Sequence, residues 1–168
     1  MSVDIVLVEP EIPQNTGNIA RTCVATGSRL HLVEPLGFSV SDRQVKRAGL
    51  DYWHDLDLTI WPDLDHVMRW AASRSGQGAG LYYCTTKAAR TYCDPVFTEQ
   101  VILFFGKESR GLPESMLIHH PERCIRIPML PQQRSLNLSN AVAVAAYEVL
   151  RQQGFPALQA EGALTGRL

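Results

Sequence analysis

The sequence predicts an α/β fold with a mainly parallel sheet flanked by helices, and three observations carry that expectation. Residues 3–8 (VDIVLV) and 101–105 (VILFF) are nearly continuous apolar runs, as in strands covered on both faces. These runs alternate with segments whose apolar residues recur at helical spacing, the order of repeated β-α-β units, about five or six in all. With 168 residues, the chain is long enough for one domain to bury most of its apolar surface without disulfides or metals.

The elements follow in order. After the first strand, residues 9–13 are held extended by two prolines, and Asn15 or Thr16 can cap a helix in which Ile19, Cys23 and Val24 share a face until Gly27. Residues 29–33 form the second strand, 34–50 contain a short capped helix, and 58–61 form a third strand. Residues 63–74 make an amphipathic helix with Leu64, Val67, Met68 and Ala71 inward. The tract 76–80 (GQGAG) follows a helix and precedes the strand 81–85, the reverse of a dinucleotide-binding loop, so it reads as a turn. Strand 101–105 runs straight into GKESRGLP, where Gly106 lets the backbone approach a ligand at the sheet's carboxyl edge. A short helix is expected over 113–119 and a strand over 125–128, ended by Pro128. The loops after Val8, Thr85, Phe105 and Ile127 should therefore converge on a ligand site.

Residues 125–154 organise the chain. Pro131 keeps the segment after the strand extended, and Ser135, Asn137, Ser139 and Asn140 then cluster where a helix would begin. An apolar run follows, and Gly154 is the next glycine. This helix has hardly any polar face, so it should be buried on several sides or lie in a subunit interface. The domain is expected to span residues 1–155, with 156–168 as a peripheral tail.

Composition narrows the function. No run reaches the ~18 apolar residues of a membrane helix, and the N-terminus lacks a basic signal region, so a cytoplasmic location is expected. Four widely spaced cysteines contain no C-x-x-C pair, and His119–His120 lacks a suitably spaced third ligand, so no metal site is expected. A net charge of −1 requires any RNA to be met by a local patch. The candidates are Arg43, Lys46 and Arg47, for which a solvated helix face is the favoured reading from sequence, together with Arg21, Arg110 and Arg134.

Three segments, NTGNIAR (15–21), FFGKESRGLP (104–113) and IRIPMLPQQRSLNLSNAVAV (125–144), together resemble the SPOUT class of RNA methyltransferases. HLVEPLGF, RAGLDYW and TTK are similar to its small single-domain branch, so the likeness covers roughly residues 3–155. The resemblance implies a C-terminal trefoil knot with 105–111 and 125–138 as crossing loops, which generic α/β reasoning would refuse. It implies S-adenosylmethionine as cofactor, a homodimer, and methylation of the ribose 2′-hydroxyl of the wobble cytidine or 5-carboxymethylaminomethyluridine in leucine tRNAs. Another tRNA or ribosomal RNA site, or a non-catalytic RNA-binding relative, are the competing readings.

Carried over by position, the resemblance places the cofactor against backbone near Cys84, Gly106, Ile127 and Ser135. Cys84 stands where leucine is expected, and Lys107 where proline or a small residue is expected. Arg21 matches the arginine that assists activation of the 2′-hydroxyl. A guanidinium keeps its proton at working pH, so stabilisation of developing alkoxide charge is its more natural role. Glu108 is the competing acid–base or positioning group, Asn140 helps shape the site, and Tyr147 supports the dimer or the tRNA contact.

Overall fold

The computed structural model describes residues 2–40 and 53–164. Arg43, Lys46 and Arg47, and the short helix expected around them, lie outside the described residues. The elements run β1 (Ser2–Val8), α1 (Pro13–Thr26), β2 (Arg29–Val33), β3 (Leu58–Trp61), α2 (Leu64–Gly76), β4 (Gly80–Cys84), β5 (Arg90–Thr91), β6 (Gln100–Phe105), α3 (Glu114–Leu117), β7 (Cys124–Arg126) and α4 (Leu138–Gln152). Seven strands form one sheet in the order β3-β2-β1-β6-β4-β7-β5, and every pairing is parallel.

The two-residue period of the strands sorts their side chains into two cores. Val3, Ile5 and Leu7 of β1, with Val101, Leu103 and Phe105 of β6, join Ile19 and Cys23 of α1 and Val142, Ala145 and Val149 of α4. On the opposite face, Val6, Val8, Ile102 and Phe104 join Val67 and Ala71 of α2 and Leu117 of α3. Burial on both faces explains why β1 and β6 read as continuous apolar runs.

Asp4 is the one charged residue of β1, and it is buried. Arg29 donates to both of its oxygens, Nε to Oδ1 at 2.6 Å and Nη2 to Oδ2 at 2.7 Å, and His31 Nε2 lies 2.9 Å from Oδ1. Trp61 Nε1 donates to His31 Nδ1 at 3.2 Å. An indole N–H only donates, so Nδ1 accepts and Nε2–H is the donor to Asp4. Burial would raise the Asp4 carboxyl, but hydrogen bonds from His31 and Arg29 outweigh it and hold the group below its ordinary 3.8.

Several expected boundaries move. Helix α1 begins at Pro13, with Ile12 at the cap position and no side-chain cap; Asn15 and Thr16 lie buried in its first turn rather than capping it. Pro13 at the first helical position needs no N–H partner and carries a pre-set φ, which is sufficient to start the helix. No helix joins β4 to β5 or β5 to β6, so the β-α-β unit recurs less often than expected. Strand β7 stops at Arg126, and β5, too short to leave a periodic trace, is an edge strand on it. The helix expected over 113–119 shrinks to α3.

Helix α4 is capped by Asn137 alone, whose side chain accepts from Ser139 N and Asn140 N. Its polarity is inverted relative to a simple surface helix: Glu148 is buried, while Val144 and Tyr147 are exposed. Arg151 reaches Glu148 through two hydrogen bonds of 2.8 and 2.9 Å, which accommodates the buried carboxylate. In the segment beyond α4, Phe155 and Leu158 pack against the first core.

Candidate active site

A cavity of about 600 Å³ opens at the carboxyl ends of β4, β6 and β7, a size typical of small-molecule sites. Its wall comes from the loops after these strands and from the N-terminal turn of α4, with Ile12 and Asn15 contributed by the β1–α1 region. Cys84, Gly106, Ile127 and Ser135 all line it, as do Glu108, Arg110 and Arg134. Arg21, Asn140 and Tyr147 do not, and all three are exposed.

The loop after β6 folds back on itself. Gly111 N donates to Lys107 O at 2.8 Å, and Gly111 has φ 72°, the left-handed region that favours glycine. Gly106 is pressed against this return. A Cβ there would lie 1.9 Å from the Gly111 carbonyl carbon and 2.0 Å from the Leu112 nitrogen, so no side chain fits. Gly106 is expected to let the backbone approach a ligand, and the neighbour packed against it here is the returning chain itself.

Glu108 fastens this loop to the start of α1. Its Oε2 accepts from Glu11 N at 2.8 Å, and its Oε1 accepts from Asn15 Nδ2 at 2.9 Å and Ile12 N at 3.3 Å. Glu11 reciprocates, accepting from Ser109 N at 2.9 Å and Ser109 Oγ at 2.8 Å. Those bonds from Ser109 hold the Glu11 carboxyl below its ordinary value. Asn15 in turn accepts from Asn137 Nδ2 at 2.9 Å, and Asn137 Oδ1 accepts from Ser139 N at 2.9 Å and Ser139 Oγ at 2.6 Å. One hydrogen-bonded chain thus joins the β6 loop, the α1 turn and the α4 turn.

Sequence reasoning placed Glu108 in the site and missed its partners. Asn137 was visible only as one of four cap candidates. Asn15 carried a helix-cap signal that pointed to the wrong role, and nothing in the pattern marks Glu11 or Ser109. Cys84 behaves as a small apolar wall residue, because burial pushes its thiol far up and keeps it protonated. Among the described residues, no group of three or more His, Cys, Asp or Glu side chains could hold a metal ion.

The SpoU rRNA Methylase family matches residues 2–147. The chain belongs to this family. A tRNA (cytidine(34)-2′-O)-methyltransferase of Aeromonas hydrophila is 49% identical over 154 residues, covering 91% of this chain and 96% of that relative. The enzyme of the same name from Methylovorus glucosotrophus is 46% identical over 153 residues, covering 90% and 96%.

Solved structures agree with this SpoU-family assignment. One, described as "Structural insights into the 2-OH methylation of C/U34 on tRNA", matches with a TM-score of 0.80 at 44% identity, over 91% of this chain and 97% of that one. The SpoU methyltransferase AviRb from Streptomyces viridochromogenes, in complex with AdoMet, matches with a TM-score of 0.79 at 25% identity, over 93% of this chain and 58% of that one. All three sequence segments that carried the resemblance contribute to the cavity of this SpoU-family methyltransferase, the first through Asn15 alone, with Cys84 to Lys87 and Tyr92 completing the wall.

Proposed function

We propose that this protein transfers a methyl group from S-adenosylmethionine to the ribose 2′-hydroxyl of the wobble cytidine or 5-carboxymethylaminomethyluridine of leucine tRNAs. The observation that carries the proposal is the cavity at the ends of β4, β6 and β7, walled by all three family segments in a chain whose relatives are named for modification at tRNA position 34.

The residues present fit the cofactor. The cavity combines apolar surface from Ile125, Leu138, Ala141 and Ala145 with loop backbone around Cys84, Gly106, Ile127 and Ser135, suited to a purine ring and a polar amino-acid tail. When bound, S-adenosylmethionine supplies an electrophilic methyl on a sulfonium. Contact through main-chain groups makes the thiol at Cys84 compatible with binding.

Arg21 stabilises the negative charge that develops on the ribose oxygen. Because it lies outside the wall of its own chain's cavity, it acts on the cavity of a second copy in a homodimer. The exposed apolar residues Val144 and Tyr147 on α4 support such an interface. Glu108, whose two oxygens already accept three N–H groups, serves as a positioning residue, and Asn140 helps shape the site through the α4 turn, where its backbone N–H meets Asn137. Arg110 and Arg134, exposed at the cavity, contact the RNA.

We further propose that residues 1–155 form one knotted methyltransferase domain with 105–111 and 125–138 as crossing loops, followed by a tail over 156–168 that is peripheral apart from Leu158, which packs on the first core. The insertion of β7 between the earlier strands β4 and β5 supports this, as does the closed return of the β6 loop. A cytoplasmic enzyme follows from its tRNA substrate, and no described helix is long and apolar enough to cross a membrane.

The test is mass spectrometry of nucleosides from leucine tRNAs treated with purified protein and S-adenosylmethionine. A methyl group on the wobble ribose is expected, and its absence from correctly modified substrate sinks the proposal. Arg21→Ala is expected to abolish transfer while cofactor binding persists.

A further inference from the structure

A second cavity of about 350 Å³ adjoins the first, and Lys87, Lys107, Arg110, Gly111 and Leu112 belong to the walls of both. Val8, Glu9, Pro113 and Glu114 complete the smaller one. It therefore adjoins the proposed methyl-transfer cavity on the side of the β1 strand end and the loop after β6.

Its charges are unevenly matched. Three cations, Lys87, Lys107 and Arg110, line it with two carboxylates, Glu9 and Glu114, and the Glu11 carboxylate lies within electrostatic reach of Lys107 and Arg110. Lys107 Nζ donates to Glu9 Oε2 at 2.5 Å, and Lys87 Nζ to Glu114 Oε2 at 2.8 Å. Arg110 has no hydrogen-bond or ion-pair partner among the described residues. In a chain of net charge −1, this gathers three cations at one concave site and leaves the Arg110 guanidinium with its donors open to a ligand.

The two ion pairs are poor competitors for an incoming anion. Both are solvated, with side-chain exposures of 30% and 32% for Lys107–Glu9 and 53% and 73% for Lys87–Glu114. Solvent screening and the entropy of holding long side chains leave pairs of this kind weak. Glu9 also holds a left-handed backbone conformation at φ 50°, unfavourable for a residue with a Cβ. A doubly hydrogen-bonded contact from Arg110 to a phosphate is the stronger interaction, and Lys107 can supply a further donor beside it.

We propose that the second cavity is a phosphodiester subsite for the RNA strand, in which Lys107 and Arg110 grip a backbone phosphate next to the target nucleotide and Glu9 is the counter-charge the phosphate displaces. This rests on the proposed tRNA methyl transfer and extends it. Lys107 stands where the family resemblance leads one to expect proline or a small residue, so the grip is a feature of this chain's own sequence. The same anion chemistry could in principle be met by the cofactor's carboxylate, and the measurement below separates the two.

The experiment measures tRNA affinity of the full-length protein over a range of KCl concentrations, together with cofactor affinity by calorimetry. Lys107→Ala is expected to weaken tRNA binding roughly five- to tenfold and to reduce the slope of log affinity against log salt by about 0.7–1, as one lost phosphate contact requires. Lys107→Arg should keep the slope, and Glu9→Gln, which frees Lys107, should tighten binding at low salt. Cofactor affinity should be the same in all of them. A wild-type slope in Lys107→Ala overturns the subsite, as does unchanged low-salt binding in Glu9→Gln or a loss confined to cofactor affinity. A wild-type chain that binds tRNA with these dependences but does not methylate it sinks the activity and leaves the subsite standing; one that does not bind tRNA overturns both.

Discussion

Asn15 Nδ2 donates to Glu108 Oε1 at 2.9 Å across 93 residues of sequence, and through this bond the first helix and the loop of the sixth strand share one geometry. Glu108 accepts two further N–H groups from the same turn. A carboxylate committed to that many donors is poorly placed to shuttle a proton. Glu108→Gln is therefore expected to lower turnover and cofactor affinity together while leaving the shape of the pH–rate profile unchanged. Loss of one limb of that profile in the variant contradicts a positioning role.

Asn137 both caps α4 and anchors Asn15, whereas Asn140 offers the cap only its backbone N–H. Asn137→Ala should cost about 2 kcal/mol, combining a lost cap with a lost side-chain bridge. Asn140→Ala should fall within about 0.5 kcal/mol of wild type. Urea denaturation of both variants checks the contrast; equal losses would show that the cap function is shared.

Gly106→Ala places a methyl group inside the returning backbone at Gly111 and Leu112. Backbone cannot rotate aside as a flexible side chain can, so the loop must move. A destabilisation on the order of 3 kcal/mol is expected, with loss of cofactor binding. Isothermal calorimetry and a melting curve report the two effects, and a variant that binds and melts like wild type refutes the tight return. Gly111→Ala, with open space around its Cβ but φ 72°, should cost about 1 kcal/mol through strain alone.

Asp4 gives the fold an acid-sensitive joint. Its folded-state pKa lies below 3.8, so its pairing with Arg29 and His31 contributes stability that is fully present above the unfolded value and is lost as pH falls through the folded one. Asp4→Asn should cost about 3 kcal/mol near neutrality, since it leaves the partly buried Arg29 unpaired. The gap between variant and wild type should then narrow as pH drops below 3.8. A gap that stays constant into that range would mean that the carboxylate charge is not what stabilises the joint.

The parts of this molecule that repeat with a period were legible in the sequence, and the parts that depend on a single contact were not. Strands β1, β2, β3 and β6 and helix α2 lie within a residue or two of their expected bounds, because burial on one or both faces leaves a regular apolar trace. Strand β5 escaped notice because two residues have no period. Helix α1 begins earlier than its polar residues implied because Pro13 starts it, which frees Asn15 for a distant partner, and no local pattern distinguishes an asparagine that caps from one that bonds a glutamate 93 positions away.

The site shows the same division. Cys84, Gly106, Glu108, Ile127 and Ser135 come together at one cavity as the segment order implied. That Arg21 stands apart from that wall depends on where its helix docks, which no segment records. The cation cluster at Lys87, Lys107 and Arg110 was equally hidden, since its members lie on two loops and only Arg110 reads as an RNA contact from sequence.

The sheet order carries a consequence for how the protein is made. Strand β1 ends at residue 8, yet its neighbour β6 begins at residue 100, so one edge of the first strand has no partner until most of the chain has been synthesised. At ~5–20 residues per second, that interval is roughly 5–20 s. During it the run IVLV presents an open, uncharged hydrogen-bonding edge, the kind of surface on which nascent chains pair wrongly. Expression at lower temperature, or with a chaperone that shields apolar segments, should therefore raise the soluble yield of this protein more than any substitution in its finished surface.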